Sequence, residues 1–135
     1  YILKPINEEK LSTAIKIAIE GLDKENKYIF IINKKGSYRI LYKDILYAES
    51  KARLVNIYLK SQEVITFYSK LEDFLQKLQD ERFLKSHKSF IVNMDYILKI
   101  EDKYIFMVNE TNIPISSANV AKIKETYFKY LLKDT

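Results

Sequence analysis

The sequence predicts a mainly β fold of antiparallel strands with accessory helices, and three observations carry the prediction. From residue 27 onward, short runs rich in Ile, Val, Tyr and Phe alternate with polar turns, the pattern of strands. Residues 7–24 instead repeat apolar side chains at helical spacing. The tetrapeptide Ser69-Lys70-Leu71-Glu72 has the form of a capping box, so one helix interrupts the strands.

In chain order, the first element is an amphipathic helix over 7–24. Leu11, Ala14, Ile15, Ala18, Ile19 and Leu22 recur at i, i+3, i+4, i+7, i+8 and i+11 and form one apolar stripe. Asn7 can cap its first turn, Glu8 and Glu9 suit the positive end of its dipole, and Gly21 loosens its far end. The polar stretch Asp23–Lys27 then marks a boundary that divides the chain into residues 1–26 and 27–135. Strands are expected at 28–32, 37–42, 45–50, 54–60, 63–68, 90–92, 97–101, 104–108 and 113–115. Tight turns between successive strands make antiparallel pairing the natural arrangement. With only two glycines in the chain, those turns are expected to rely on Asn, Asp and Lys. After the capping box, Leu71, Phe74, Leu75 and Leu78 give the internal short helix its apolar face. A C-terminal helix runs from about Asn119 to Leu132 with Val120, Ile123, Tyr127 and Leu131 as its buried stripe, and Ser116 or Ser117 is placed to cap it.

Composition narrows the function. The 135 residues hold no cysteine and one histidine, His87, which removes disulfides, thiolate chemistry and His-rich metal sites. No nucleophile elbow, phosphate loop or metal-ligand spacing accompanies His87, so the sequence reads as a non-enzyme that needs no cofactor and no metal. His87 is expected to hold its loop by bonding to backbone. No run of eighteen apolar residues occurs and the start lacks the features of a secretory signal, so the expectation is a cytoplasmic protein without a membrane partner. The net charge is +5, carried unevenly: residues 1–26 sum to −1 and residues 27–135 to +6. The basic excess of the second segment suits a polyanionic partner.

Three segments carry the chemistry: Asp44-Ile45-Leu46-Tyr47-Ala48-Glu49-Ser50-Lys51-Ala52-Arg53, Phe83-Leu84-Lys85-Ser86-His87-Lys88-Ser89-Phe90-Ile91-Val92-Asn93, and Ile113-Pro114-Ile115-Ser116-Ser117-Ala118-Asn119-Val120. In the first, Lys51 and Arg53 flank a strand end, where a sheet would hold a short basic loop rigidly enough to reach phosphates. Arg53 could also make a paired contact to guanine. In the second, Lys85 and Lys88 flank His87 in a basic loop, with the hydroxyls of Ser86 and Ser89 beside them. In the third, Ser117, Asn119 and Lys122 lie at the start of the last helix, whose free N–H groups suit a phosphate.

In this order and spacing the three segments resemble the LytTR family of bacterial DNA-binding domains, over about residues 27–130. The resemblance implies an elongated antiparallel β-sandwich that inserts loops into successive grooves of duplex DNA. It also implies binding to promoters as a homodimer on repeated half-sites. The DNA-binding set it points to is Lys51, Arg53, Lys85, Lys88, Ser89, Ser117, Asn119 and Lys122. Departures are visible: Lys85 stands where the family places Arg, Ala118 stands where members carry a base-reading Arg, and Ala52 occupies a loop position suited to a polar side chain. Lys lacks the planar two-pronged contact of Arg, and Ala offers only a methyl.

The start of the chain carries a second resemblance. Tyr1-Ile2-Leu3-Lys4-Pro5-Ile6 followed by an amphipathic helix is similar to the last strand and helix of a response-regulator receiver domain, in which the lysine of Lys-Pro, here Lys4, senses the phosphorylated aspartate. Residues 1–26 then read as the remnant of a receiver and residues 27–135 as its output domain, with a sensor histidine kinase upstream. Separated from a receiver sheet, the stripe of 7–24 would need cover from the DNA-binding domain or from a second copy. The competing expectation is a protein-interaction module whose basic face binds an acidic partner.

Overall fold

The computed structural model describes residues 27–133. The helix expected over 7–24, the boundary segment up to residue 26 and Lys4 lie outside the described residues.

Among the described residues, ten strands and two α-helices follow one another. The first hairpin pairs β1 (Tyr28–Asn33) with β2 (Gly36–Leu41). Next come β3 (Ile45–Lys51), β4 (Leu54–Leu59), β5 (Val64–Tyr68), helix α1 (Leu71–Leu78), β6 (Phe83–His87) and β7 (Phe90–Asn93). These five strands form one antiparallel sheet in the order β5-β4-β3-β7-β6. A third sheet has β9 (Tyr104–Met107) between β8 (Ile97–Glu101) and β10 (Asn112–Pro114), and helix α2 (Val120–Lys133) closes the described chain.

Side chains of a strand alternate between faces, so a five-stranded sheet buried on both sides needs two covers. On one face Ala48, Val55, Ile57, Ile65, Phe67 and Ile91 pack with the first hairpin (Ile29, Ile31, Ile40) and with Leu71, Phe74 and Leu78 of α1. On the other, Leu46, Tyr47 and Val92 pack with the three-stranded sheet (Ile105, Met107, Ile113) and with Ile123 and Tyr130 of α2. A register shift in β3 between Ile45 and Tyr47 lets the successive residues Leu46 and Tyr47 both join the second cluster.

Asn93 ties these layers together. It is fully buried, its amide donates to the carbonyls of Tyr42 (3.3 Å) and Ile45 (2.9 Å), and its Oδ1 accepts from the Asp95 N–H (2.9 Å). Asn93→Ala would strand those backbone groups without solvent, and the expected loss is about 2–4 kcal/mol in a urea unfolding curve. A loss below about 1 kcal/mol would mean that water or other groups replace the amide.

Several sequence expectations are corrected. Lys85 and His87, expected in a basic loop, belong to strand β6. Ser86 is buried there and its hydroxyl donates to the Pro114 carbonyl at 3.3 Å, so a polar inward residue hides the strand's alternation. The capping box does not form: Ser69 continues the ladder through its N–H to the Arg53 carbonyl (3.2 Å), its hydroxyl donates to the Lys70 carbonyl, and Lys70 is the helix N-cap. On α2 the buried partner of Ile123 is Tyr130, whose phenol reaches Asp95 at 2.6 Å, whereas Leu131 is exposed. Ser116 precedes a 3-10 turn, Ser117–Asn119, and makes no side-chain cap.

The turns are corrected in part as well. Asn33 accepts from the N–H groups of Lys35 and Gly36, and Asn109 from that of Thr111. The left-handed positions among the described residues fall on Ala52, Gln62, Gln79, Asp102 and Glu110, none of them glycine.

Candidate nucleic-acid interface

Antiparallel pairing decides which turns share an end of the sheet. Lys51 pairs with Leu54 across the two-residue turn Ala52-Arg53. In the neighbouring strands His87 pairs with Phe90 across the turn Lys88-Ser89. Because Glu49 pairs with Phe90, and the Ser50 N–H donates to the Ser89 carbonyl at 2.8 Å, the two turns sit side by side at the same end. The third segment joins them through the Ser116 N–H, which donates to the Ser86 carbonyl at 3.0 Å. The turn Ser117–Asn119 and the first residues of α2 therefore leave from beside β6. The three sequence motifs converge because the strands that carry them are bonded neighbours.

Among the expected residues, Lys51, Arg53, Lys88, Ser117, Asn119 and Lys122 are exposed, and Ser89 is half-buried. Lys85 lies within β6, and its Nζ meets the Glu72 carboxylate of α1 at 2.6 Å. Exposed pairs of this kind are worth about 0–1 kcal/mol, so a phosphate can compete with Glu72 for Lys85. His87 acts on its own turn: its Nδ1 accepts from the Ser89 N–H at 3.2 Å and its ring lies edge-on to Phe90. That is the holding role expected of it.

Sequence reasoning missed two lysines at this end. Lys70, hidden inside the supposed capping box, follows Ser69, which bonds to Arg53. Lys103, in the β8–β9 turn, has its carbonyl bonded to the Ile115 N–H at 2.9 Å, next to the third segment. Both are exposed. The signal that finds them is strand pairing, which no local motif contains.

Beneath the tips a pair of tyrosines packs across β3 and β4. The rings of Tyr47 and Tyr58 stack with centroids 4.5 Å apart, and the Tyr58 phenol donates to Glu49 at 3.3 Å. Burial, reinforced by the Glu49 carboxylate, pushes the Tyr58 phenol above its ordinary value and keeps it neutral. Ala52 holds φ at 58°, which is costly for a residue with a Cβ. Ala52→Gly removes that clash but adds chain entropy, and the expected net gain is about 0.5–1 kcal/mol in thermal unfolding. A loss would show that the Ala52 methyl makes a contact that outweighs the clash.

A family model described as the LytTr DNA-binding domain matches residues 35–127. Among curated relatives, the transcriptional regulatory protein NatR of Bacillus subtilis is 33% identical over 72% of this chain and 42% of its own length. The accessory gene regulator protein A of Staphylococcus epidermidis is 34% identical over 76% of this chain and 44% of its own. The sensory transduction protein LytT of Enterococcus faecalis is 27% identical over 93% and 58%. The chain thus spans about half the length of these relatives. A solved LytTr DNA-binding domain from Bacillus cereus shares the fold, with a TM-score of 0.65 over 75% of this chain and 96% of that one, at 20% identity.

Proposed function

Since the chain belongs to the LytTR family of DNA-binding domains, we propose that the sheet end carrying Lys51, Arg53, Lys88 and the 117–122 segment grips duplex promoter DNA to regulate transcription. The observation that supports this most is the side-by-side placement of the turns Ala52-Arg53 and Lys88-Ser89, with Ser116 bonded to the adjoining strand. Rigid tips at fixed separation suit a target with regularly spaced phosphates. Lys51, Lys88 and Lys122, with Ser89, Ser117 and Asn119, set register on the backbone, and Lys85 joins them by exchanging Glu72 for phosphate. Arg53 is the side chain suited to a paired contact with guanine. Ala52 and Ala118 leave little base readout beside it, so DNA deformability supplies part of the selectivity.

In the same reading the whole protein is a cytoplasmic response regulator. Residues 1–26 end its receiver, Lys4 senses the phosphoryl group delivered by a sensor histidine kinase, and two copies bind repeated half-sites. The mechanism is binding without bond making or breaking.

Selection of bound duplexes from a random pool, followed by titration of the best one at several salt concentrations, tests the proposal. The expected result is a consensus with repeated half-sites and a log–log salt slope of several charges. Enrichment of no duplex, with binding lost at modest salt, would favour the protein-interaction reading in which the basic face meets an acidic partner.

A further inference from the structure

The tip of the first hairpin holds two lysines in place. Asn33 pairs with Gly36 across the two-residue turn Lys34-Lys35, and its Oδ1 accepts from the N–H groups of Lys35 (2.8 Å) and Gly36 (3.1 Å). Its Nδ2 donates to the Thr66 carbonyl at 2.7 Å, which ties the tip to β5, an edge strand of the five-stranded sheet. Lys34 and Lys35 are exposed and, among the described residues, neither meets a carboxylate, whereas Lys85, Lys99, Lys129 and Lys133 each do. Two cations without a counter-charge on a fixed turn suit an anion from outside.

A groove of about 740 Å³ joins this tip to the sheet end that carries Arg53. Ile32, Lys34 and Lys35 of the hairpin line it together with Leu54 and Tyr68. Leu54 follows Arg53 and pairs with Tyr68, and the Ser69 N–H donates to the Arg53 carbonyl at 3.2 Å, so the groove starts beside the turn Ala52-Arg53. Glu63, the one acid among its lining residues, stands at the other end of β5.

Resting on the grip described above, we propose that Lys34 and Lys35 form a second phosphate anchor for the same duplex, one that takes the flank of the site where the DNA leaves Arg53, passes Tyr68 and bends toward β5. Thr66 lies two residues short of Tyr68, so the tip is set back by about 7 Å from the end of the strand. A straight duplex laid across the turns Ala52-Arg53 and Lys88-Ser89 runs past the tip at that separation. A duplex bent toward β5 closes it, and each phosphate that reaches a lysine releases counterions. The cost of the bend depends on the base steps that are bent, so the anchor turns the stiffness of the flank into selectivity at positions no side chain reads. Apolar side chains in the groove would suit a protein segment as well, but the cations stand at the tip and beside Arg53, along the path of a duplex.

Titration of the full chain with two duplexes tests the anchor. One is trimmed to a selected half-site, and the other carries one further helical turn, about ten base pairs, on each side. The unaltered chain should bind the longer duplex with a log–log salt slope steeper by about two, at about 0.9 per phosphate contact. Lys34→Ala/Lys35→Ala should remove that increment and lengthen the end-to-end distance of the bound longer duplex, read by fluorescence energy transfer. The same variant should leave the trimmed duplex and the unfolding midpoint unchanged, and Lys34→Arg/Lys35→Arg should keep the increment. Equal slopes for the two lengths in the unaltered chain, or an increment that survives Lys34→Ala/Lys35→Ala, would overturn the anchor, leave the grip in place and give the groove to a protein partner. An equal loss on both duplexes would overturn it too, because the tip would then belong to the grip itself and need no bend. Failure of the grip reads differently: Lys51→Ala/Arg53→Ala/Lys88→Ala would then leave both duplexes bound with unaltered slopes, and both proposals would fall.

Discussion

Asp80→Ala is expected to cost about 3–5 kcal/mol in urea unfolding, the largest stability effect of any single change outside the apolar core. The carboxylate is almost wholly buried. Its Oδ1 accepts from the Arg82 N–H at 3.0 Å and from Nε at 2.9 Å, Oδ2 accepts from a terminal guanidinium nitrogen at 3.4 Å, and the Lys27 ammonium stands 3.5 Å away. Arg82 is buried too, and its guanidinium lies 5.6 Å from the Tyr42 ring centre. Removing Asp80 takes away the buried carboxylate on which the desolvated Arg82 guanidinium makes two hydrogen bonds and near which the Lys27 ammonium stands. Losing a surface pair such as Lys133–Glu81 or Lys129–Glu125 should cost no more than about 1 kcal/mol.

The same site sets an acid dependence whose sign is fixed. Burial alone would push the Asp80 carboxyl up, but the hydrogen bonds from Arg82 and the charges of Arg82 and Lys27 outweigh it and hold the carboxyl below its ordinary value. A carboxyl lowered on folding adds stability above its unfolded value, about 3.9, and loses that share as pH falls through the folded value. Urea midpoints should therefore be insensitive to this group near neutrality and fall below about pH 4. In Asp80→Asn that part of the acid loss should be missing. An unchanged acid limb in the variant would show that other carboxyls carry it.

Neutralising the proposed grip is the second large effect. Lys51→Ala, Arg53→Ala and Lys88→Ala together should reduce the log–log salt slope of duplex binding by about three, at about 0.9 per phosphate contact, without moving the unfolding midpoint. Arg53→Lys separates charge from shape. It should keep the slope but lose about 1–3 kcal/mol of discrimination at the base pair that Arg53 faces, because an ammonium cannot span two acceptors of guanine. Lys60→Ala, in the β4–β5 turn at the opposite end of the sheet, should change neither quantity. A slope unaltered by the triple change would move the contact surface elsewhere.

Much of the fold was legible because strands announce themselves by alternation. The strands that were found, such as β4 with Val55 and Ile57 inward, bury apolar residues on one face and leave the other mixed. β6 was not found because its inward residues include Ser86, and a buried hydroxyl satisfied by a distant carbonyl looks the same in sequence as an exposed one. Leu131 lost its expected place to Tyr130 because a phenol that finds Asp95 can be buried more cheaply than its polarity suggests. The candidate interface was legible as three separate motifs. Their convergence, and the lysines Lys70 and Lys103 beside them, follow from strand order and from bonds such as Ser50 to Ser89 and Ser116 to Ser86, which join residues far apart in the chain.

Backbone amide resonances followed while a selected duplex is titrated into the chain test the grip most directly. Signals of residues 51–53, 87–89 and 116–122 should move together and saturate at one stoichiometry, with those of 42–45 and 60–63 unmoved. Perturbations centred on 42–45 and 60–63, or scattered without regard to the ends of the sheet, would contradict the placement of DNA on the end that carries Arg53 and Lys88.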